Sequence, residues 1–424
     1  MKRFKLPRFK IFITTLLSIS VIFLLWFTPL LPTLSQPQDK IFAQVWQTVN
    51  DNFFDPKFNG VDWKAIREKY KTQAQRASTA EFPTLINQML SELQTSHTRF
   101  YTPDEPAYYQ LLGIFQPRSQ KLQQQLKKFF PKGKITYTGI GVFTKDINGK
   151  TFVNAILDGS PALKAGLKVG DQLLSVDDRP FQPIKSFLAK TGKKVKLSIQ
   201  RSPDPKSQQE IIVTPQLLDA TTMFLDAQAA STQVIERQGK KIGYTHIWSY
   251  AGDQYQQQLE EELFYGRLKD ADGLVLDLRE GWGGASPNYL NIYTANGPSV
   301  TNIPRDRKQY KLNYQWKKPV VMVVNEGSRS GKEILAFGFQ QYKIGKVVGS
   351  KTAAAVVAGR PYLMQDGSIL YLAVSDVLID DKYRLEGKGI TPDINVPFSL
   401  EYAQGADPQK EQAIESVLAT LTSG

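Results

Sequence analysis

Apolar positions recur along this chain at different periods, and the changes of period divide it. Ile41, Val45 and Val49, then Leu85, Met89 and Leu93, return at helical-turn spacing with polar residues between them, which predicts a small helical domain over residues 37–112. Residues 113–135 are rich in Gln, Lys and Pro with only a weak amphipathic stretch near 122–130, so a connector is expected there. Over 136–216 the pattern becomes short alternating strands, 151–156 and 195–201 among them, separated by Gly and Pro turns. From 217 to 405 strand-like runs alternate with helical ones: 242–248 extended, 253–268 helical, then GLVLDL, VVMVVN, a helix from Lys332, and VVG. That order predicts crossover units in one α/β core, followed by a last helix over 406–424.

The leader changes the picture of where this chain works. Lys2, Arg3, Lys5, Arg8 and Lys10 precede an apolar run at 11–29 broken by small hydroxyl residues, which reads as an export signal within residues 1–36. Leading cations stay on the cytoplasmic side, so the rest is expected in the periplasm or another extracytoplasmic space. The run fits a cleavable signal, with small residues near Thr33 and Ser35, and it also fits a membrane anchor, for which about 20 residues are needed. Without those five cations the formal charge of +13 falls to +8, with no clustered basic and aromatic stripe, so no nucleic-acid partner is expected. The cysteine count is zero, which excludes disulfides, thiolate metal sites and cysteine nucleophiles. With only His97 and His246 as histidines, no metal site is expected.

The candidate chemistry sits in NEGSRSGKEILAFGF, residues 325–339. An apolar strand ends at Val324, a Gly and Ser-rich turn follows, and a helix begins near Lys332. Such a turn presents a side chain at a helix N-terminus, where backbone N–H groups favour developing negative charge. It suits a nucleophilic serine, although by the turn alone Ser328 or Ser330 as a plain helix cap is the better fit.

Four strings, DLREGWGG (277–284), NEGSRSGKE, VVGSKT (347–352) and EGKGITPD (386–393), stand in the order and spacing of the C-terminal processing (tail-specific) serine peptidases, which the chain resembles over roughly 85–397. Residues 160–181, SPALKAGLKVGDQLLSVDDRPF, resemble a PDZ signature. The earlier GIGV, Gly139, Ile140, Gly141 and Val142, matches that family's loop for a peptide's terminal carboxylate. The resemblance implies a ClpP/crotonase-like α/β core with an inserted PDZ-like β-rich domain and an N-terminal helical domain. It implies Ser330 as nucleophile, the Gly331 N–H and a main-chain N–H of Gly283 or Gly284 as oxyanion donors, polypeptide as substrate and no cofactor.

Many members of that family activate the serine with a lysine, and the matching position here is Ala355, in KTAAAVV. A serine hydroxyl is barely ionised near neutrality and needs a base. LQTSHTRFYTPDE, residues 93–105, resembles the string that supplies a histidine in another branch of the family, and EGKGITPD supplies that branch's acid. The implied triad is Ser330, His97 and Glu386, with activity rising through the histidine's titration, near ~6.5 before its surroundings act on it. His246, the Asp277–Arg279 pair and the Asp380–Asp381 tip are expected to be structural. The alternative to a peptidase is a catalytically silent peptide-binding protein on the same fold, with Ala355 as the first trace of lost activity.

Overall fold

A computed structural model describes residues 37–294, 300–312 and 314–423. The export segment therefore lies outside the described residues, and among those described no helix is long and apolar enough to cross a membrane.

The helical pattern holds. Helices Pro37–Asn52, Trp63–Arg76 and Phe82–Ser91 form, and Ile41, Val45, Val49, Met89 and Leu93 are all buried. The Asp62 carboxylate accepts from the Lys64 and Ala65 N–H groups and so caps the second helix. Trp46 and Trp63 stack with ring centroids 6.4 Å apart, and each indole N–H donates to the other residue's carbonyl. This unit is not a free-standing domain. Its apolar cluster is completed by Val357, Met364, Leu370 and Leu372, which come from more than 250 positions later in the chain. Strand Arg99–Tyr101 pairs antiparallel with Ile369–Ser375, Arg99 opposite Tyr371 and Tyr101 opposite Ile369, and that pairing ties the helices to the core.

The expected connector is built more firmly than its composition suggested. Helix Pro106–Phe115 runs into it and helix Gln120–Leu126 follows, with the Ser119 hydroxyl accepting from Leu122 N–H. Leu122 and Leu126 are buried in the largest apolar cluster of the molecule. Two leucines at helical spacing supply what Gln and Lys content had obscured.

Residues 140–213 enclose their own core, including Ile140, Val153, Leu173, Leu197 and Val213, inside a sheet whose strands are ordered 142–147, 150–156, 172–176, 195–200 and 208–213. The GIGV turn lies between strands Thr136–Gly139 and Val142–Ile147, with Gly141 at φ +80° and Val142–Ile147 on the sheet's edge. Phe143 on that edge stacks on Trp248 of the core, centroids 5.6 Å apart.

The core is a six-stranded sheet ordered Gln233–Arg237, Lys240–His246, Gly273–Asp277, Val320–Val324, Val347–Gly349, Ile394–Asn395, parallel from the second strand onward. Gly273–Asp277 and Val320–Val324 are buried at every residue, as strands covered on both faces should be. Helix Pro408–Ser423 covers one face, where Val417 packs so close to Gly273 that any side chain there would collide with it. The loops leaving the carboxyl ends of strands 273–277, 320–324 and 347–349 gather at one rim, where open α/β sheets carry their sites.

Candidate active site

Ser330 opens helix Gly331–Gln341 and is held at φ +56°, ψ −125°, a conformation costly for a residue with a Cβ. Two bonds to its own N–H maintain it: Ala355 O accepts at 2.8 Å and Glu333 Oε2 at 3.1 Å. The neighbouring glycine loop explains its composition by contact. A Cβ on Gly331 would lie 2.2 Å from Ala285 N, and one on Gly283 would lie 2.7 Å from the Ser330 Cβ. Only glycines let the two main chains meet in this way. Among the described residues no acceptor takes the N–H of Gly331, Gly283 or Gly284.

His97 also has a left-handed backbone, φ +54°, and the strand beginning two residues later delivers it to the site. Its Nδ1 lies 2.9 Å from Ser96 Oγ, and that hydroxyl donates to Glu386 Oε2 at 2.9 Å. Since the one hydroxyl proton goes to the carboxylate, Ser96 Oγ accepts from Nδ1–H, which leaves Nε2 as the basic nitrogen. Glu386 further accepts from Ser96 N at 2.8 Å and Val356 N at 2.7 Å. Glu386 and Ser330 therefore grip adjacent residues of one loop, Val356 and Ala355. Among the described residues no hydrogen bond joins the Ser330 hydroxyl to the His97 ring. Burial first, then the nearby Arg329 cation, push the His97 ring down to about 4 against the pull of Glu386. The ring is thus neutral at pH 7.

Several supporting residues were not singled out by sequence. Ser96 joins His97 to Glu386, and its only signal was a hydroxyl residue next to the histidine. The Glu333 carboxylate accepts from Ser330 N, Thr352 Oγ1, Ala354 N and Ala355 N, locking the serine turn to the 352–355 loop. Lys332 is wholly buried, its ammonium donating to Glu280 O at 2.6 Å and reaching Trp248 O at 3.4 Å beneath the glycine loop. Desolvation pulls it down to about 7.

Arg279 and Asp277 pair at 2.6 Å, with Asp407 as a second partner of the guanidinium. Burial works against the Asp277 charge, but Arg279 and His246 hold the carboxyl well below the usual range. His246 is buried, stacks on Trp248 and lies 2.9 Å from Arg279 O through Nε2. Ser328 donates to Leu278 O and accepts from Asn325 N, which fixes the turn. Asp380 and Asp381 are exposed. Lys351 is exposed as well, whereas Ala355, in the place of the family's lysine, touches the serine's own N–H.

The relay from Glu386 through Ser96 makes a measurable claim. Glu386→Gln removes the charge that steadies an imidazolium and should lower kcat by roughly ten- to a hundredfold, with KM little changed. Ser96→Ala should cost about tenfold, and the double variant no more than Glu386→Gln alone, because the two act in series. Additive losses in a double-mutant cycle would show that the hydroxyl does not connect them.

Comparison with known proteins agrees with this architecture. Residues 241–396 match Peptidase family S41, residues 152–201 a PDZ domain, and residues 27–91 the Tricorn protease C1 domain. The chain is 26% identical over 406 residues to a carboxyl-terminal-processing protease of Synechocystis sp., covering 91% of this chain and 87% of that protein. It is 26% identical to putative tricorn protease homolog 2 of Streptomyces coelicolor, covering 90% of this chain but only 32% of that relative. Among solved structures, the photosystem II D1 C-terminal processing protease superposes with TM-score 0.51 at 19% identity, covering 88% of this chain and 98% of that one. The tricorn protease superposes with TM-score 0.53 at 18% identity, covering 91% of this chain and 37% of that one. These two likenesses speak for the fold. The chain thus carries a Peptidase family S41 domain and a PDZ domain and is similar to carboxyl-terminal-processing serine proteases.

Proposed function

We propose that this chain is an exported endopeptidase that hydrolyses peptide bonds in protein substrates, near their C-termini, through an acyl-enzyme on Ser330. The observation that carries the reading is the unbroken line from Glu386 through Ser96 to His97, whose acid end and the Ser330 N–H hold neighbouring residues of one loop. In this mechanism His97 Nε2 takes the Ser330 proton as Oγ attacks the scissile carbonyl. The developing oxyanion lies against the N–H of Gly331 and of Gly283 or Gly284, which have no competing acceptor among the described residues. The imidazolium, steadied by Glu386 through Ser96, then protonates the leaving amine, and a water repeats the cycle on the ester. The serine and imidazole come within hydrogen-bond reach as substrate closes the cleft, since such bonds are often long without it.

A polypeptide end would be taken by the GIGV turn, Gly139 to Val142, with the edge strand Val142–Ile147 offering main-chain pairing. The name of the Synechocystis relative supports C-terminal cleavage. The basic leader and its apolar run support export, with the enzyme in the periplasm or anchored facing it. One observation favours a silent binder instead: serine and imidazole are not bonded here and Ala355 stands where a lysine base would. A fluorophosphonate reporter separates the two. Covalent labelling of the full chain at Ser330, absent from Ser330→Ala, is expected of the peptidase, and a folded chain that takes no label is the binder.

A further inference from the structure

Between the helical unit, the PDZ edge strand and the glycine loop runs a cleft of about 650 Å³, lined among others by Tyr101, Gln110, Lys145, Gly281, Trp282 and Arg329. Its charged groups are matched almost throughout. Arg99 pairs with Glu105 at 2.7 Å and Lys145 with Glu326 at 3.4 Å. Asp146 accepts from Thr151 at 2.6 Å, and Glu280 accepts from Asn325 at 2.9 Å. Arg329 is the exception. It immediately precedes Ser330, and among the described residues it forms no ion pair. Its Nε is buried without a hydrogen-bond partner, a donor that has given up water for nothing in return.

The side chain is nevertheless placed. Its guanidinium carbon lies 5.6 Å from the centroid of Trp282, and that indole is fixed by donating to Gln110 Oε1 at 3.0 Å. Stacking of this kind orients the fork without using its N–H donors. The cation also acts on the His97 ring and disfavours the imidazolium that catalysis must create. An anion bound at the guanidinium would satisfy the orphan donor and offset that repulsion together. A carboxylate matches the planar fork and can be held by two parallel bonds.

We propose that Arg329 is a specificity-determining residue that binds a substrate carboxylate beside the scissile bond. This rests on Ser330 being the nucleophile. The carboxylate has two possible sources, an acidic side chain next to the cleaved bond or a chain end that enters the cleft instead of the GIGV turn, and the same guanidinium serves either.

The test measures binding without turnover, using the full chain carrying Ser330→Ala. Fluorescent peptides of one neutral sequence are compared by anisotropy: with a single glutamate scanned through it, with glutamine in the same places, and with a free or amidated C-terminus. A carboxylate in one register should tighten Kd about tenfold over its amide counterpart, and Arg329→Gln should reduce that advantage to less than about twofold. A gain with scanned glutamate identifies a side chain as the source, and a gain only with the free terminus identifies the chain end. Arg329→Lys, which keeps the charge but not the fork, should retain two- to threefold. It stands in for the glutamine variant should circular dichroism show that variant unfolded. Equal affinities for carboxylate and amide, or an advantage that survives Arg329→Gln or is undiminished in Arg329→Lys, would overturn the proposal. Failure of the peptidase reading shows separately, in a wild-type chain that leaves these peptides intact and takes no label at Ser330.

Discussion

Ser330→Ala will abolish peptide hydrolysis, a loss of roughly a thousandfold or more in kcat, while the melting temperature stays close to that of the parent. The expectation of an intact fold follows from how little of the turn depends on the hydroxyl. Ser330 Oγ faces the Glu333 N–H as one half of a capping box, worth about 1 kcal/mol, whereas the bonds that hold the turn, to Ala355 O and Glu333, start from the backbone N–H, which alanine retains. Alanine and serine also pay a similar cost at φ +56°. The chemical loss is large because no other hydroxyl is offered to the Gly331 N–H in this way: Ser328 is committed to Leu278 O and Asn325 N. Turnover measured beside thermal unfolding decides it, and unchanged turnover removes Ser330 from the mechanism.

His97→Ala will cost nearly as much, and Ser330→Ala combined with it little more, since members of one catalytic unit do not lose activity additively. The wild-type pH profile carries a second, sharper expectation. Only the neutral imidazole can accept the serine proton, so kcat/KM rises with pH through the ring's titration. Burial and Arg329 have moved that titration to about 4, so the acid limb should lie far below the ordinary histidine value of ~6.5, which the sequence alone suggested. An acid limb near or above neutrality, together with a mild His97→Ala phenotype, would instead implicate a lysine. Lys332, desolvated to about 7 beneath the glycine loop, would then be the group to examine.

Much of the molecule was legible from its residues because the signals were local. A 3.6-residue apolar period gave the first helices, alternation with Gly and Pro gave a unit of short strands that the resemblance of residues 160–181 marked as PDZ-like, and doubly apolar runs gave the parallel strands. The strained serine turn was legible as Gly and Ser between a strand and a helix. Ser96 and Glu333 were not, since a serine beside a histidine and a glutamate in a first helical turn are commonplace, and their importance comes from partners 290 and 22 positions away respectively. Residues 113–135 misled for the opposite reason: their polar composition described the solvent face, and the two buried leucines decided the structure.

The sequence by itself determined which groups this protein has to work with: a serine in a glycine-rich turn, one histidine outside the sheet, no cysteine, and alanine where a lysine base would stand. Tertiary structure alone decided their meeting. Strand Arg99–Tyr101 finds its register on Ile369–Ser375, which carries His97 across the core to Glu386, and the loop at 354–356 joins that acid to the serine turn. Such encounters arise from sheet pairing and apolar burial summed over the whole core, and no local pattern of residues encodes them. The same packing left Arg329 charged, stacked and unpaired beside the nucleophile, a property of its surroundings rather than of its place in the chain.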